Sequence, residues 1–457
     1  MLFSEPRFFL FFAVYALLHV LLPPRFRIWL VIIGGAVFYA SWRWDYLWVP
    51  LGLSLVAHFG ARWMDQGRDD AARKHRLWLV LAVIFAPLAI VKYTHFLLAD
   101  VVQLGIAAET WRWALPLGIS FITFTVTAYV VDVYRRRYAR EKSLPLMLGY
   151  VLFFPHLIAG PILRPNELMP QLKQERRARD ARILLGISLF TMGLVKKLLF
   201  ADQIAAAVEP VYLNAAGLTA WHYLVAIYGF SVQIYCDFSG YTDMAIGLAY
   251  LLRIRLPTNF LRPYGAASLP QFWRRWHITL SFWLRDYLYI PLGGNRRGKA
   301  RQIINLLITM VLGGLWHGAN WTFVIWGTLH GTGLALAHAL GKGFRLPRWL
   351  GIFFTFHFVT VAWVFFRAPD LVTAMRVLAG PFTQSYAGAG LVLATLAFPI
   401  LLIAVFLVTH VWDRHARLRW LSVHGNKAMQ WGVIALFWIL AIAVAQGSSA
   451  KFIYFDF

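Results

Sequence analysis

Charge is what this chain has least of. Of its 457 residues only 14% are Asp, Glu, Lys or Arg, where a soluble protein carries about a quarter. Acidic residues are the scarcer kind, 20 against 44 basic ones, for a net charge of +24. There is one cysteine, Cys236, which excludes an intrachain disulfide framework. No H-E-x-x-H occurs and no carboxylate neighbours His317, which argues against a zinc hydrolase. No G-x-S-x-G elbow occurs either, so no serine nucleophile is indicated.

What is present is apolar: 60% of the residues are hydrophobic and 17% aromatic. Surface of that kind cannot all be hidden in a water-soluble core. Runs near 20 apolar residues read as membrane-spanning helices. They fall at 7–22, 27–42, 46–60, 77–98, 112–133, 182–200, 221–252, 303–317, 320–340, 349–366, 391–410 and 428–446. The opening "MLFSEPRFFLFFAVYALLHV" lacks a basic start and a small-residue cleavage site, so it is expected to be the first span.

The basic residues sit in short loops between these runs, at 62–76, 134–142, 176–182, 253–255, 296–301, 342–348 and 414–419. Placing them all in the cytoplasm satisfies the positive-inside bias and gives twelve crossings with both termini outside. It also accounts for the basic charge without nucleic acid. Loops near 99–111, 201–220 and 367–390 then face outward. The expected class is therefore all-α, a polytopic integral membrane protein with residues 1–457 as one domain.

Three stretches resist a simple crossing. Residues 144–165, "LPLMLGYVLFFPHLIAGPILRP", carry Pro155, Gly160, Pro161 and Pro165, which break helices. Residues 277–294 have basic loops on both sides. Both are expected to be re-entrant and to line a central cavity, because irregular backbone at membrane depth needs protein or water around it. Residues 221–252 are too long for one straight span. With Asp237 and Asp243 in the middle they are expected to break, and the carboxylates to be paired.

His317 lies in "LGGLWHGANW". The apolar run before it, 303–316, is 14 residues and spans ~21 Å at ~1.5 Å per residue, short of a ~30 Å hydrocarbon core. The turn near Asn320 is thus expected to be recessed, with His317 at the floor of an outward-facing depression. A buried neutral imidazole suits a general base; a packed, satisfied histidine is the alternative. His277 follows "FWRRW" and reads either as a second functional ring or as part of an aromatic belt with Trp273 and Trp276. Arg274, Arg275 and Arg285 suit either an anionic donor or the positive-inside bias. The spacing of His317 and His330 hints weakly at haem.

"DFSGYTDMAIG", "FWRRWHITLSFWLRDYLYIPLGGNR" and "GGLWHGANWTFVIWG", together with "HLIAGPILRP" and the opening "MLFSEPRFFLFF", resemble the membrane-bound O-acyltransferase family. Within it, the chain is similar to the bacterial alginate-acetylating branch and its peptidoglycan-acetylating relatives. The resemblance implies a fold built around a central tunnel. It also implies a catalytic His317, a second functional histidine at His277, and a donor or tunnel site shaped by Trp316, Arg285, Asp286 and Tyr289, to which Asp237 and Asn320 are added as candidates.

The aromatic terminus, with Phe452, Tyr454, Phe455 and Phe457, implies docking to an extracytoplasmic partner; an interfacial anchor is the alternative. The expected activity is transfer of acetyl groups from a cytoplasmic thioester such as acetyl-CoA, with no metal and no bound cofactor. The expected place is the bacterial inner membrane. No loop is long enough to grip a polysaccharide, so a separate extracytoplasmic acetyltransferase is expected to receive the acetyl group. Alginate-like polymers, peptidoglycan and D-alanyl transfer all stay open. So does a transporter of acyl donor or glycan lipid, with the histidines as proton-relay sites, although no inverted repeat is evident.

Overall fold

Each of the twelve apolar runs contains helix in the computed structural model, which describes all residues except 104–113, 175–179, 342–345, 445–452 and 454–457. The described residues contain no strand. Five helical stretches among them are long and apolar enough to cross a membrane: Asp70–Val101, Ile183–Tyr212, Arg348–Arg367, Val392–Trp412 and Lys427–Val444. Others are shorter, such as Pro6–Leu21 and the 14-residue Arg27–Ala40. The outer surfaces are oily, with Phe398, Leu401, Val408 and Ile439 all more than half exposed. Side chains of this size are left outside where the surroundings are lipid rather than water. The chain is a multi-pass, all-helical membrane protein.

Several expectations change. The apolar run 303–316 is the inner part of a 20-residue helix, Gly298–His317. That helix reaches ~30 Å over its full length, its first turn being basic. The outward loop expected at 201–220 is partly helix, because Ile183–Tyr212 continues through a π-helical segment, Lys196–Ala201. The loop expected at 367–390 contains the helix Leu371–Thr383, started by the Asp370 carboxylate, which accepts from the Thr373 amide.

The chain divides into two compact units. The first is Met1–Phe190 with Met244–Pro257. Its interior is a cluster of aromatic rings: Phe8 lies 4.9 Å from Phe3 and 6.1 Å from Phe38, and Tyr15 packs 5.1 Å from Phe154. As the prolines require, 144–165 is interrupted. Two short helices, Leu144–Leu152 and Phe154–Leu157, lead into irregular backbone before the helix Pro165–Lys173. Tyr150 satisfies part of that backbone by donating to the Leu163 carbonyl at 2.7 Å.

The second unit is Thr191–Asp243 with Thr258–Phe457. Its centre is a helical hairpin, Gly298–His317 and Trp321–Ala339. The hairpin closes tightly because a Cβ at Gly314 would lie 2.2 Å from the Phe323 carbonyl oxygen, and one at Gly327 would lie 2.4 Å from that of Met310. Only the bare backbone of glycine lets the helices approach so far.

The helix Ala220–Leu251 does not break at Asp237–Asp243; it runs 32 residues without interruption. The cost of its carboxylates is met by neighbours instead. Lys196 Nζ lies 2.7 Å from both Asp243 Oδ2 and Asp413 Oδ2. Tyr235 donates to Asp413, and His415 Nε2 lies 2.6 Å from Asp243 Oδ1. Lys197 Nζ lies 2.7 Å from Asp202 and 2.9 Å from Asp237. The second Asp237 oxygen accepts from the Ile453 amide at 2.7 Å.

Two consequences are measurable by thermal unfolding of the purified protein. Lys196→Met strands two buried carboxylates and should cost about 3–5 kcal/mol, whereas adding Asp243→Asn and Asp413→Asn should restore part of it. An unchanged melting temperature for Lys196→Met would contradict the pairing. Gly314→Ala should cost about 1–3 kcal/mol by forcing the hairpin apart, while Ala at the exposed, unobstructed Gly390 should be neutral.

Candidate active site

The helix Gly298–His317 ends on His317, because Gly318 turns the chain into extended backbone and Asn320 starts the next helix. The side chain of Asn320 accepts from the Thr322 amide and donates to the Pro369 carbonyl at 2.7 Å. Asn320 thus serves as a cap and a tie to the 368–370 turn. Gly318 is required for packing: a Cβ there would lie 2.0 Å from the Phe323 ring.

His317 is 5% exposed and is walled by three aromatic side chains. Ring centroids lie 4.9 Å away for Trp316, 5.2 Å for Trp326 and 5.0 Å for Phe366, each close to edge-on. Phe366 comes from Arg348–Arg367, so three helices build the wall. Such a wall excludes water and strengthens any polar interaction made inside it.

His277 is fully buried and adopts φ +41°, a left-handed conformation a histidine adopts only at a cost. It caps the short helix Ile278–Leu284, and a π-helical segment, Arg285–Tyr289, follows. Its Nδ1 lies 3.2 Å from Asn259 Oδ1, which also accepts from the Thr279 amide and hydroxyl. An amide N–H can only donate, so the Asn259 atom is the oxygen, and His277 Nδ1 must carry the proton. In the neutral ring Nε2 then bears the lone pair. The ring lies 4.7 Å from Phe238 and 6.4 Å from Trp316. Trp316 is therefore the side chain that touches both histidines.

The other sequence candidates are placed as follows. Arg285 forms a two-point pair with the adjacent Asp286, Nε to Oδ1 at 2.6 Å and Nη2 to Oδ2 at 3.1 Å, and its guanidinium lies over the Phe282 ring. Asp286 is buried while Arg285 is half exposed. Tyr289 hydrogen-bonds Gln302 at the start of the next helix. Asp237 is committed to Lys197 and Ile453. Phe452, Tyr454, Phe455 and Phe457 lie outside the described residues; Ile453 is buried.

Two groups were missed, and a third, His330, was weighed only as a haem ligand. His330 is fully buried, accepts from Trp273 Nε1 at 3.3 Å, and lies 4.7 Å from Trp326, the same ring that walls His317. Trp326 thus separates the two histidines weighed as a haem pair. Asn259 carried no local signal; only the fold brings it to His277. Lys196 and Lys197 did carry one, since two adjacent lysines interrupt the apolar run "FTMGLVKKLLFADQI" and two carboxylates in the next span needed partners. Among the described residues no group of three or more His, Cys, Asp or Glu could hold a metal ion.

Residues 135–368, which contain both histidines and their surroundings, match the model of the membrane-bound O-acyltransferase family. A protein named "probable alginate O-acetylase" from Azotobacter vinelandii is 40% identical over 398 residues, covering 84% of this chain and 78% of its own length. A like-named protein of Pseudomonas putida is 35% identical over the full length of both chains. A peptidoglycan O-acetyltransferase of Helicobacter pylori is 39% identical, covering 78% of this chain and 73% of its own. A more distant relative, 30% identical over 55% of this chain, is a teichoic acid D-alanyltransferase of Streptococcus thermophilus. With the helical fold, the two buried histidines and these relatives in agreement, the chain belongs to the membrane-bound O-acyltransferase family and is an O-acyltransferase enzyme.

Proposed function

We propose that the protein moves acetyl groups from a cytoplasmic thioester, acetyl-CoA, across the bacterial inner membrane for O-acetylation of an extracytoplasmic polysaccharide of the alginate kind. The observation that carries this reading is the aromatic enclosure of His317, with Trp316 bridging it to His277. The relatives' names support acyl transfer to hydroxyls of surface polymers, and those that cover most of the chain favour acetyl as the group and alginate as the polymer. Peptidoglycan is the second acceptor to test, because that relative is nearly as similar.

In this reading His317 takes the proton of the acceptor hydroxyl as its oxygen attacks the thioester carbonyl. The carbon–sulfur bond breaks, and His317 returns the proton to the leaving thiolate. His277 presents a lone pair at Nε2, so its part is to receive a hydrogen bond and orient a hydroxyl or thiol, not to polarise the carbonyl. Trp316, Trp326 and Phe366 keep water from the thioester. Arg285, Asp286 and Tyr289 shape the approach of the donor through a tunnel, and the aromatic tail engages the partner acetyltransferase that passes the group to the polymer.

The test is His317→Ala. It should lower acetyl transfer by about 10²–10⁴-fold, the scale of a lost general base, with the protein present in the membrane at wild-type level. Measured as acetyl-CoA turnover by purified protein and as polymer acetate in cells, retained activity in both would remove the assignment. Acetate found on peptidoglycan rather than on an exopolysaccharide would move the acceptor and leave the mechanism standing.

A further inference from the structure

Away from the two histidines, the second unit carries a groove of about 520 Å³ between the segment 267–270 and the helices Trp321–Ala339 and Arg348–Arg367. Its lining is oily: Leu269, Leu336, Leu340, Phe354 and Phe358. Among the described residues only Ser268 and Thr355 bring side-chain hydroxyls to it.

No arginine is among the described residues that line the groove, but several gather beyond its Ala267 edge. Ala267 packs its carbonyl against Gly351, so close that a Cβ there would lie 2.5 Å from the oxygen. Arg348 stands one turn before Gly351 on the same helix. Arg275 reaches over the preceding residues and donates to the Gly265 carbonyl at 3.0 Å. Arg262 donates to the Val411 carbonyl at 3.1 Å, which brings the 411–414 connection and Arg414 alongside.

None of Arg262, Arg274, Arg275, Arg348 and Arg414 forms a salt bridge among the described residues. Burial, then the charges of Arg348, Arg274 and Arg414, push the Arg275 guanidinium down from its usual range. Burial, then Arg414, Arg275 and Arg348, do the same to Arg262. Like charges held together in this way favour an anion between them.

We infer that this groove is a binding site for an anionic phospholipid, with its phosphate on Arg275 and Arg348 and an acyl chain along Leu269, Leu336 and Phe358. The thioester donor also carries phosphates, but its pantetheine arm is lined with amides, and this groove offers them two hydroxyls. A hydrocarbon chain needs no such partners. The supply is at hand, because the basic loops define the cytoplasmic side and anionic lipids concentrate in that leaflet.

The test uses the full-length protein, delipidated in detergent. Thermal unfolding is followed while phosphatidylglycerol, phosphatidylcholine with the same chains, inorganic phosphate or coenzyme A is added. Phosphatidylglycerol should stabilise the wild type saturably and phosphatidylcholine should need at least about tenfold more. The double variant Arg275→Gln, Arg348→Gln should weaken the phosphatidylglycerol response by about tenfold or more. Gly333→Leu should weaken it too, because a Cβ at Gly333 already meets Leu269 at 2.6 Å and a leucine would fill the groove.

Equal responses to the two lipids in the wild type would overturn the site even if a variant failed to fold. So would displacement of phosphatidylglycerol by coenzyme A, which would assign the arginines to the donor, or saturation by inorganic phosphate at the same concentration, which would leave a simple anion site.

Discussion

Two neighbouring ammonium groups set the terms for the second unit. Lys196 and Lys197 leave the same short π-helical segment and each reaches two carboxylates. Isolated charges in such surroundings cost several kcal/mol each, and pairing makes them tolerable only if every partner is in place. The requirement is geometric. It binds Ile183–Tyr212 to Ala220–Leu251 through Asp237 and Asp243, and it holds the 413–415 connection through Asp413 and His415. Through Asp237 it also reaches the backbone of Ile453, near the end of the chain. Phe238, which packs on His277, sits beside Asp237 on the helix that these pairs hold.

On that frame the two buried histidines are positioned by two different means. His317 is placed by shape: a helix end, a glycine that admits Phe323, and three aromatic rings. His277 is placed by hydrogen bonds, with Asn259 fixing its tautomer and a left-handed backbone turning it inward. Trp316 belongs to both settings. The arrangement gives one ring enclosed by hydrocarbon and a second whose lone pair is directed by a fixed partner, a division that suits proton transfer at one and orientation at the other.

Much of this was legible in the residues. Hydrophobic runs located the long helices because each is held by its own apolar composition, and the prolines of 155–165 announced irregular backbone. His317 was conspicuous as an ionisable ring in an apolar run, whereas His277 was singled out by the family resemblance. What could not be read depended on distance in sequence. Asp237 and Asp243 implied partners but not which ones; Lys196, forty-seven residues from Asp243, needed the fold. The helix Ala220–Leu251 was expected to break because it is too long for one straight span; it stays whole, and its carboxylates are paired as expected. The basic turn Gly298–Gln302 before the run that ends at His317 was counted as loop, and it is helical.

The central claim is that acyl transfer takes place inside the aromatic enclosure of His317. The most direct measurement is a structure of the protein with a non-cleavable thioether analogue of acetyl-CoA bound. The account predicts the acyl carbonyl against Trp316, with its carbon within reach of a hydroxyl hydrogen-bonded to the His317 ring. An analogue whose acyl group rests elsewhere, with the enclosure closed and empty of ligand, would contradict it.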